Sequence, residues 1–293
     1  MLREHSFNLL RIPISLEAAL DLDSRPRYAY FADPKFRDKT VGELLQRVIY
    51  KAGKRGILVL LDMHRARANE KWELWYTKEY SHEDLLRGWH HLLDAFGYQW
   101  NVVALDLLNE PYGAARWEGG DRATDWNRAA QDMIIKLGLA HPDWRGLFFV
   151  EGVSDPHPHA AFWGSNLHGV HRAPIDLRHV SEELDRRVVY SPHTYGPSVQ
   201  NQDYFEDPAF PRNMPRIWDD LFGFVGNATG HAVVLGEWGG YYHADSPSLV
   251  WVDAFAAYLR DRCLSSNIYW CLNPNVRGRS VRAPDVQRKA RFS

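Results

Sequence analysis

Cysteine is almost absent: Cys263 and Cys271 are the only two in 293 residues. Two are too few for a disulfide scaffold or a four-cysteine zinc site. An excess of one charge is absent too, with 35 Lys and Arg against 37 Asp and Glu, a net of −2. Such a balance sets up no global field, so neither nucleic acid nor a membrane surface is expected as a partner. No apolar run reaches the roughly 20 residues of a membrane span. The best one, Phe7–Ser15, is broken by Arg11. The start, Met1-Leu2-Arg3-Glu4-His5, has mixed charge and no small-residue cleavage site after it, so the chain as written shows no signal peptide. No glycine-rich phosphate loop follows any strand-like run, which argues against an open nucleotide-binding sheet.

What is present is ordinary in bulk, 45 % apolar and 25 % charged, as in a folded globular protein. Tryptophan stands out at 12 residues. Aromatics fill cores, and an excess of Trp and Tyr also suits a cleft that stacks flat, half-polar ligands. Short apolar runs recur at Phe7–Ile14, Gly56–Leu61, Val102–Leu108, Gly146–Val150, Arg187–Tyr190, Ala232–Leu235 and Asn267–Leu272. Their apolar residues run on without alternating, which predicts strands buried on both faces. Helix signals lie between them. Thr40 with Glu43 and Ser81 with Asp84 have capping-box spacing. Ser246-Pro247 suits an N-cap and first helical position. Asp132–Ala140 and Trp251–Leu259 have helical periodicity. Strand–helix alternation predicts a parallel sheet, and at this length the leading closed form is a (β/α)₈ barrel. Cys263 and Cys271 are expected as buried thiols, with a bridge left open. The pairs His90-His91 and His157/His159 lack partners at ligand spacing and are expected on the surface, so no metal is expected.

The chemistry of a barrel lies at the C-terminal ends of its strands. Those positions hold Arg11, His64, Asn109-Glu110, Glu151, His193 with Tyr195, Glu237 and Trp270. A carboxylate after an apolar strand is costly to desolvate unless it is used or paired. Two such groups facing one cleft suit acid, base or nucleophile work, and glycoside hydrolysis needs such a pair. The plainer alternative is a pair of buried ion pairs, with Arg11 as a partner.

An ordered set of segments carries a resemblance. It comprises Asn8-Leu9-Leu10-Arg11-Ile12-Pro13, Leu60-Leu61-Asp62-Met63-His64-Arg65, Asn109-Glu110-Pro111, Phe149-Val150-Glu151-Gly152-Val153, Tyr190-Ser191-Pro192-His193-Thr194-Tyr195, Gly236-Glu237-Trp238-Gly239 and Tyr269-Trp270-Cys271-Leu272-Asn273-Pro274. Over about residues 7 to 275 the chain resembles glycoside hydrolase family 5, and within it the endo-1,4-β-glucanases. The resemblance implies that Glu110 is the general acid/base and Glu237 the nucleophile of a retaining double displacement. It implies that Arg11 holds Glu237 ionised, Tyr195 hydrogen-bonds it, His193 adjusts Glu110 and Asn109 meets the sugar 2-hydroxyl. His64 is a further sugar contact, Trp270 floors the cleaved sugar's subsite and Trp163 stacks on the leaving-group side. Trp75 is open between sugar contact and core, Asp62 and Asp106 are structural partners inside the barrel, and Glu151 has no assigned role.

The implied substrate is a β-glucan polysaccharide or oligosaccharide, with no cofactor. A monomer is expected, and the family's habit of export makes an extracellular site the expectation. Two alternatives stay open: a non-catalytic glycan-binding remnant, and a relative acting on mannan. The expected architecture is a TIM (β/α)₈-type barrel over 1–275 that lacks the usual first strand and helix and the last helix. Residues 276–293 hold six basic residues and one acid and are expected as a disordered tail.

Overall fold

A computed structural model describes residues 6–26, 34–244 and 246–271. The expected tail at 276–293, and Leu272 at the end of the last expected strand, lie outside them. The strands are β1 (Leu9–Ser15), β2 (Leu58–Arg65), β3 (Val102–Asp106), β4 (Leu147–Val150), β5 (Val188–Tyr190), β6 (His193–Tyr195), β7 (Ala232–Val233), β8 (Leu235–Gly239) and β9 (Asn267–Tyr269). All pairings are parallel. Six strands follow the order β1-β2-β3-β4-β5-β7, and three follow β6-β8-β9.

The two sheets are one wall in two tiers. Ser191-Pro192 separates β5 from β6, and Val234 separates β7 from β8. Proline cannot donate to a ladder, so the fifth run of the sequence breaks there instead of ending at Tyr190. The run expected at Ala232–Leu235 likewise divides, and its continuation to Gly239 carries the site. Counting each broken pair once gives seven strand positions among the described residues, matching the seven runs. Parallel strands alternating with helices along the chain are the architecture of the α/β barrel that the sequence predicts.

The shorter helices are α1 (Leu16–Leu20), α5 (Glu182–Asp185), α6 (Met214–Trp218) and α7 (Val225–Thr229), and the longer ones form where local signals put them. The box at Thr40 opens α2 (Val41–Gly53): Glu43 N donates to Thr40 Oγ1 at 3.1 Å, and Thr40 N donates to Glu43 Oε2 at 2.9 Å. Ser81 and Asp84 do the same for α3 (His82–Phe96). Each such cap satisfies donors that the first turn leaves unpaired, at about 1 kcal/mol. The helix expected from Asp132 is the end of α4 (Trp126–Ala140), capped by Asp125. The last long helix, α8 (Ser248–Asp261), starts one residue later than expected: Pro247 is its N-cap, and Ser246 Oγ accepts from Ser248 N.

Three expectations need correction. Nine of the 12 tryptophans are buried, including Trp75 at 3 % exposure against Trp126, so the excess is mainly core, not cleft. Trp163 and Trp270 are the half-buried pair, and Trp100 is exposed. Cys263 is exposed and Cys271 half-buried, both free thiols. Cys263 takes a left-handed φ of +56° just past α8, where the chain turns outward. His90, His91 and His159 are half-buried and partnered, by His141, the Ala19 carbonyl and Asp220 respectively. No described helix is long and apolar enough to cross a membrane.

Candidate active site

Side chains on a strand alternate faces, so residues two apart share one. Leu60, Ala104, Phe149 and Val189 form an apolar cluster of their own, with Leu9, Val234 and Ile268 packed against it. One pleat further along the same strands stand Arg11, Asp62, Asp106 and Glu151. The packing of the lower residues therefore fixes the direction of the upper ones.

Arg11 is the hub of this upper layer. Its Nε donates to Asp106 Oδ2 at 2.9 Å, its Nη1 to Glu237 Oε1 at 2.5 Å, and its Nη2 to Asn109 Oδ1 at 2.8 Å and Glu151 Oε1 at 3.2 Å. Asp62 Oδ2 is 3.0 Å away. The guanidinium is fully charged, planar and five-fold donating, and it fits several carboxylates where a lysine would fit one. Burial opposes its charge, but Asp62, Asp106, Glu237 and Glu151 together hold its pKa well above the ordinary value. Asp106 moves the other way: burial pushes its carboxyl up to about 7 against the pull of Arg11.

Glu110 and Glu237 face each other across the cleft. One carboxylate oxygen from each, and one ring nitrogen of His193, all lie within 4.8 Å of one another. Glu237 accepts from Arg11 and from the Tyr195 hydroxyl, and is 3 % exposed. Burial raises the Glu110 pKa, opposed by His64, Arg11 and Lys71. His193 Nδ1 is 3.3 Å from Glu110 Oε1 and 3.8 Å from Glu237 Oε2. Burial drives the His193 pKa down to about 3, so the ring is neutral. Gly236 makes room for it, since a Cβ there would meet His193 Nε2 at 2.7 Å and Ser191 Oγ at 2.3 Å. Burial pushes the Tyr195 hydroxyl well up, reinforced by Glu237, so it remains a donor.

The remaining residues line the cleft. His64 Nδ1 is 2.7 Å from Asp62 Oδ2. Burial lowers its pKa and Asp62 raises it, with a net rise. Its ring stacks on Trp270 at 5.4 Å and 12°. Trp163 stacks on Tyr112 at 3.9 Å and 13°, and the Lys71 ammonium lies 4.3 Å from the Trp163 ring centre. Tyr112 and Lys71 carry no motif of their own, which is why sequence reasoning passed over them. Glu151, left without a role, is fully buried and bonded to the backbone of Glu110. Its position directly after an apolar strand was the available signal.

Chemically, the arrangement offers one carboxylate fixed by a cation and a phenol, and one raised carboxyl within reach of it. Two three-residue groupings, Asp106–Glu151–His193 and Glu110–His193–Glu237, have donor types that suit a cation. The Arg11 guanidinium already brings positive charge to Asp106, Glu151 and Glu237.

Comparison with known proteins agrees with this geometry. The family model for cellulase (glycosyl hydrolase family 5) matches residues 1–276. An endoglucanase of Paenibacillus polymyxa is 37 % identical over 278 residues, covering 93 % of this chain and 68 % of that protein. The major extracellular endoglucanase of Xanthomonas campestris is 37 % identical over 92 % of this chain and 54 % of its own length. Its catalytic domain superposes with a TM-score of 0.87 at 34 % identity, covering 99 % of this chain and 85 % of that one. A cellotetraose complex of an endocellulase from Pyrococcus horikoshii superposes at 0.84 and 34 % identity, covering 94 % and 78 %. The chain belongs to glycoside hydrolase family 5.

Proposed function

We propose that this chain is a retaining endo-1,4-β-glucanase, with one catalytic unit over about residues 1–275. The observation that carries the reading is the close approach of Glu110 and Glu237, with oxygens within 4.8 Å. Retaining glycosidases hold their carboxyl groups about 5–5.5 Å apart, and inverting ones about 6.5–9.5 Å to admit a water.

In the first step a Glu237 oxygen attacks the anomeric carbon as the bond to the glycosidic oxygen breaks. Glu110 gives its proton to that departing oxygen. In the second step water attacks the anomeric carbon and gives its proton to Glu110, and the bond to Glu237 breaks. Each residue's surroundings suit its part. Arg11 and Tyr195 donate to Glu237 and hold its oxygens on line, while burial raises the Glu110 pKa toward the protonated form that the first step uses. Arg11 also holds the Asn109 amide oxygen, which leaves the amide NH₂ as a donor for the sugar 2-hydroxyl. Trp270, half-buried with one face on His64, offers the other to a sugar, while Trp163 stacks on a sugar on the leaving-group side once Lys71 swings off its ring.

The substrate reading rests on the relatives, named endoglucanases, and on a neighbour solved with cellotetraose. The Xanthomonas relative is named as extracellular, which supports action outside the cell. The test is reducing-sugar release from carboxymethyl cellulose, barley glucan and mannan, with the anomeric configuration of fresh product followed by NMR. Release from the two glucans with a β-configured first product is expected. Release from mannan alone, an α-configured first product, or no turnover of any substrate would overturn the reading.

A further inference from the structure

We propose that Glu151 is a positioning residue for the acid/base carboxyl, holding Glu110 through its backbone on one side and flanking it through His193 on the other. This rests on the assignment of Glu110 as general acid/base.

Glu151 follows the last residue of β4 and is fully buried. Its Oε2 accepts from the backbone N–H of Glu110 at 2.7 Å. That backbone is unusual, because Glu110 has a φ of +51°. A side-chain-bearing residue in the left-handed region is strained and persists only where its surroundings hold it there. The bond from Glu151 is such a hold. It points the Glu110 N–H into the protein and turns the Glu110 side chain toward the cleft. Releasing it lets the chain relax toward φ below zero and carries the carboxyl away from Glu237.

On the other side His193 fills the space between the two carboxyls: Glu151 Oε1 lies 3.2 Å from His193 Nε2, which makes no hydrogen bond among the described residues, and the other ring nitrogen is 3.3 Å from Glu110 Oε1. The same Oε1 lies 3.2 Å from Arg11 Nη2, so the clamp is tied to the hub that holds Glu237. Both reacting carboxylates are therefore referred to one buried group.

The surroundings are shaped around this carboxyl. Gly164, at φ +72°, covers it so closely that a Cβ would meet Glu151 Oε2 at 2.3 Å and Glu110 Cα at 3.4 Å. The Gly164 carbonyl accepts from Gly152 N at 2.9 Å and His193 N at 3.3 Å, which fixes that lid. Trp126 Nε1 donates to the Glu151 carbonyl at 2.9 Å. Burial, with Asp106 adding to it, raises the Glu151 pKa well above the ordinary value. A carboxyl so unwelcome as an anion, yet aimed at a catalytic backbone, suits a positioning role better than a plain ion pair.

The experiment separates positioning from scaffolding by the leaving group. Glu151→Leu keeps most of the volume but removes both oxygens, so the Glu110 N–H loses its acceptor. General acid catalysis contributes about 10²–10⁴-fold, and only where the leaving group needs a proton. The expected result is a loss of kcat/KM of about 10–100-fold on barley glucan, and less than about 3-fold on dinitrophenyl cellobioside, whose leaving group departs unaided. Equal losses on the two substrates, or no loss on glucan, would overturn the proposal. If Glu151→Leu does not fold by circular dichroism, the same pair of substrates is applied to Gly164→Ala, whose methyl pushes the Glu151 carboxyl aside without removing it. Wild-type protein inactive on both substrates would instead overturn the glucanase reading.

Discussion

Two layers inside the barrel are built on the same strands, one pleat apart, and they differ in almost every property. The lower layer, Leu60, Ala104, Phe149 and Val189, is apolar and makes no demand on proton or charge. The upper layer, Arg11, Asp62, Asp106 and Glu151, is as deeply buried yet carries one cation among three acids. The lower layer follows the hydrophobic rule and stabilises roughly in proportion to the apolar area it removes from water. The upper layer is costly to desolvate and persists because its acids share the charge of Arg11. The first supplies rigidity and the second uses it. A group held within a fraction of an ångström can be an effective catalyst, and the packed layer beneath provides that hold.

Replacements in the two layers, and in the carboxylates they support, test this division. The largest effect is expected for Glu237→Gln: kcat on barley glucan falls by more than about 10⁴-fold, as for loss of a nucleophile. Its urea midpoint stays near that of the wild type.

Next come Phe149→Ala and Arg11→Met, one from each layer. Phe149→Ala is expected to cost about 3–5 kcal/mol by chemical denaturation, through a cavity, and to leave the shape of the pH–rate profile unchanged. Arg11→Met is expected to cost a similar 3–5 kcal/mol by leaving buried acids without their cation, and to change that shape. Equal pH–rate profiles for these two variants would erase the distinction between the layers.

A smaller, pH-dependent effect is expected at His193. Burial holds its folded pKa down to about 3, against about 6.5 in the unfolded chain. As pH falls below 6.5 the unfolded state takes up a proton that the folded state refuses, so stability is lost on acidification. Relative to His193→Asn, the wild type should lose about 3 kcal/mol between pH 7.5 and 4.5, at roughly 1.4 kcal/mol per pH unit. Denaturation curves of both proteins across that range provide the check. A difference independent of pH would show that folding leaves the ring's pKa unchanged, and a wild type that gains relative stability on acidification would show a ring charged when folded.

The smallest is at Lys71, whose ammonium lowers the Glu110 pKa. With Glu110 as the general acid proposed above, activity falls as pH rises through its pKa. Lys71→Met should therefore move the alkaline limb of kcat/KM to higher pH. A limb that moves down would reverse the sign of this coupling.

Much of this was legible in the residues. Continuous apolar runs marked the strands, and the boxes at Thr40 and Ser81 marked two helices, because those signals act over a few residues. The site residues could be read because barrel strands end at one level, so Arg11, His64, Asn109, Glu110, His193, Tyr195, Glu237 and Trp270 fell into register. What escaped depends on distant pairs. The Glu151 role needs the Glu110 backbone, 41 residues away. The Trp163 sandwich needs Tyr112 and Lys71. The break at Ser191-Pro192 was visible as a proline, but only pairing with β8 makes His193–Tyr195 a strand of its own. Cys263 is outside because a left-handed turn ends α8, which composition does not reveal.

The left-handed backbone at Glu110 has a consequence for how such a protein can change. At most positions random replacement weakens a fold. Here a glycine would fit the torsion without strain, and any neutral residue would relieve a carboxyl that burial disfavours. Drift toward a sturdier molecule thus points downhill to an inert one. With Glu110 as the acid/base carboxyl proposed above, selection for turnover and selection for stability pull in opposite directions at this one position.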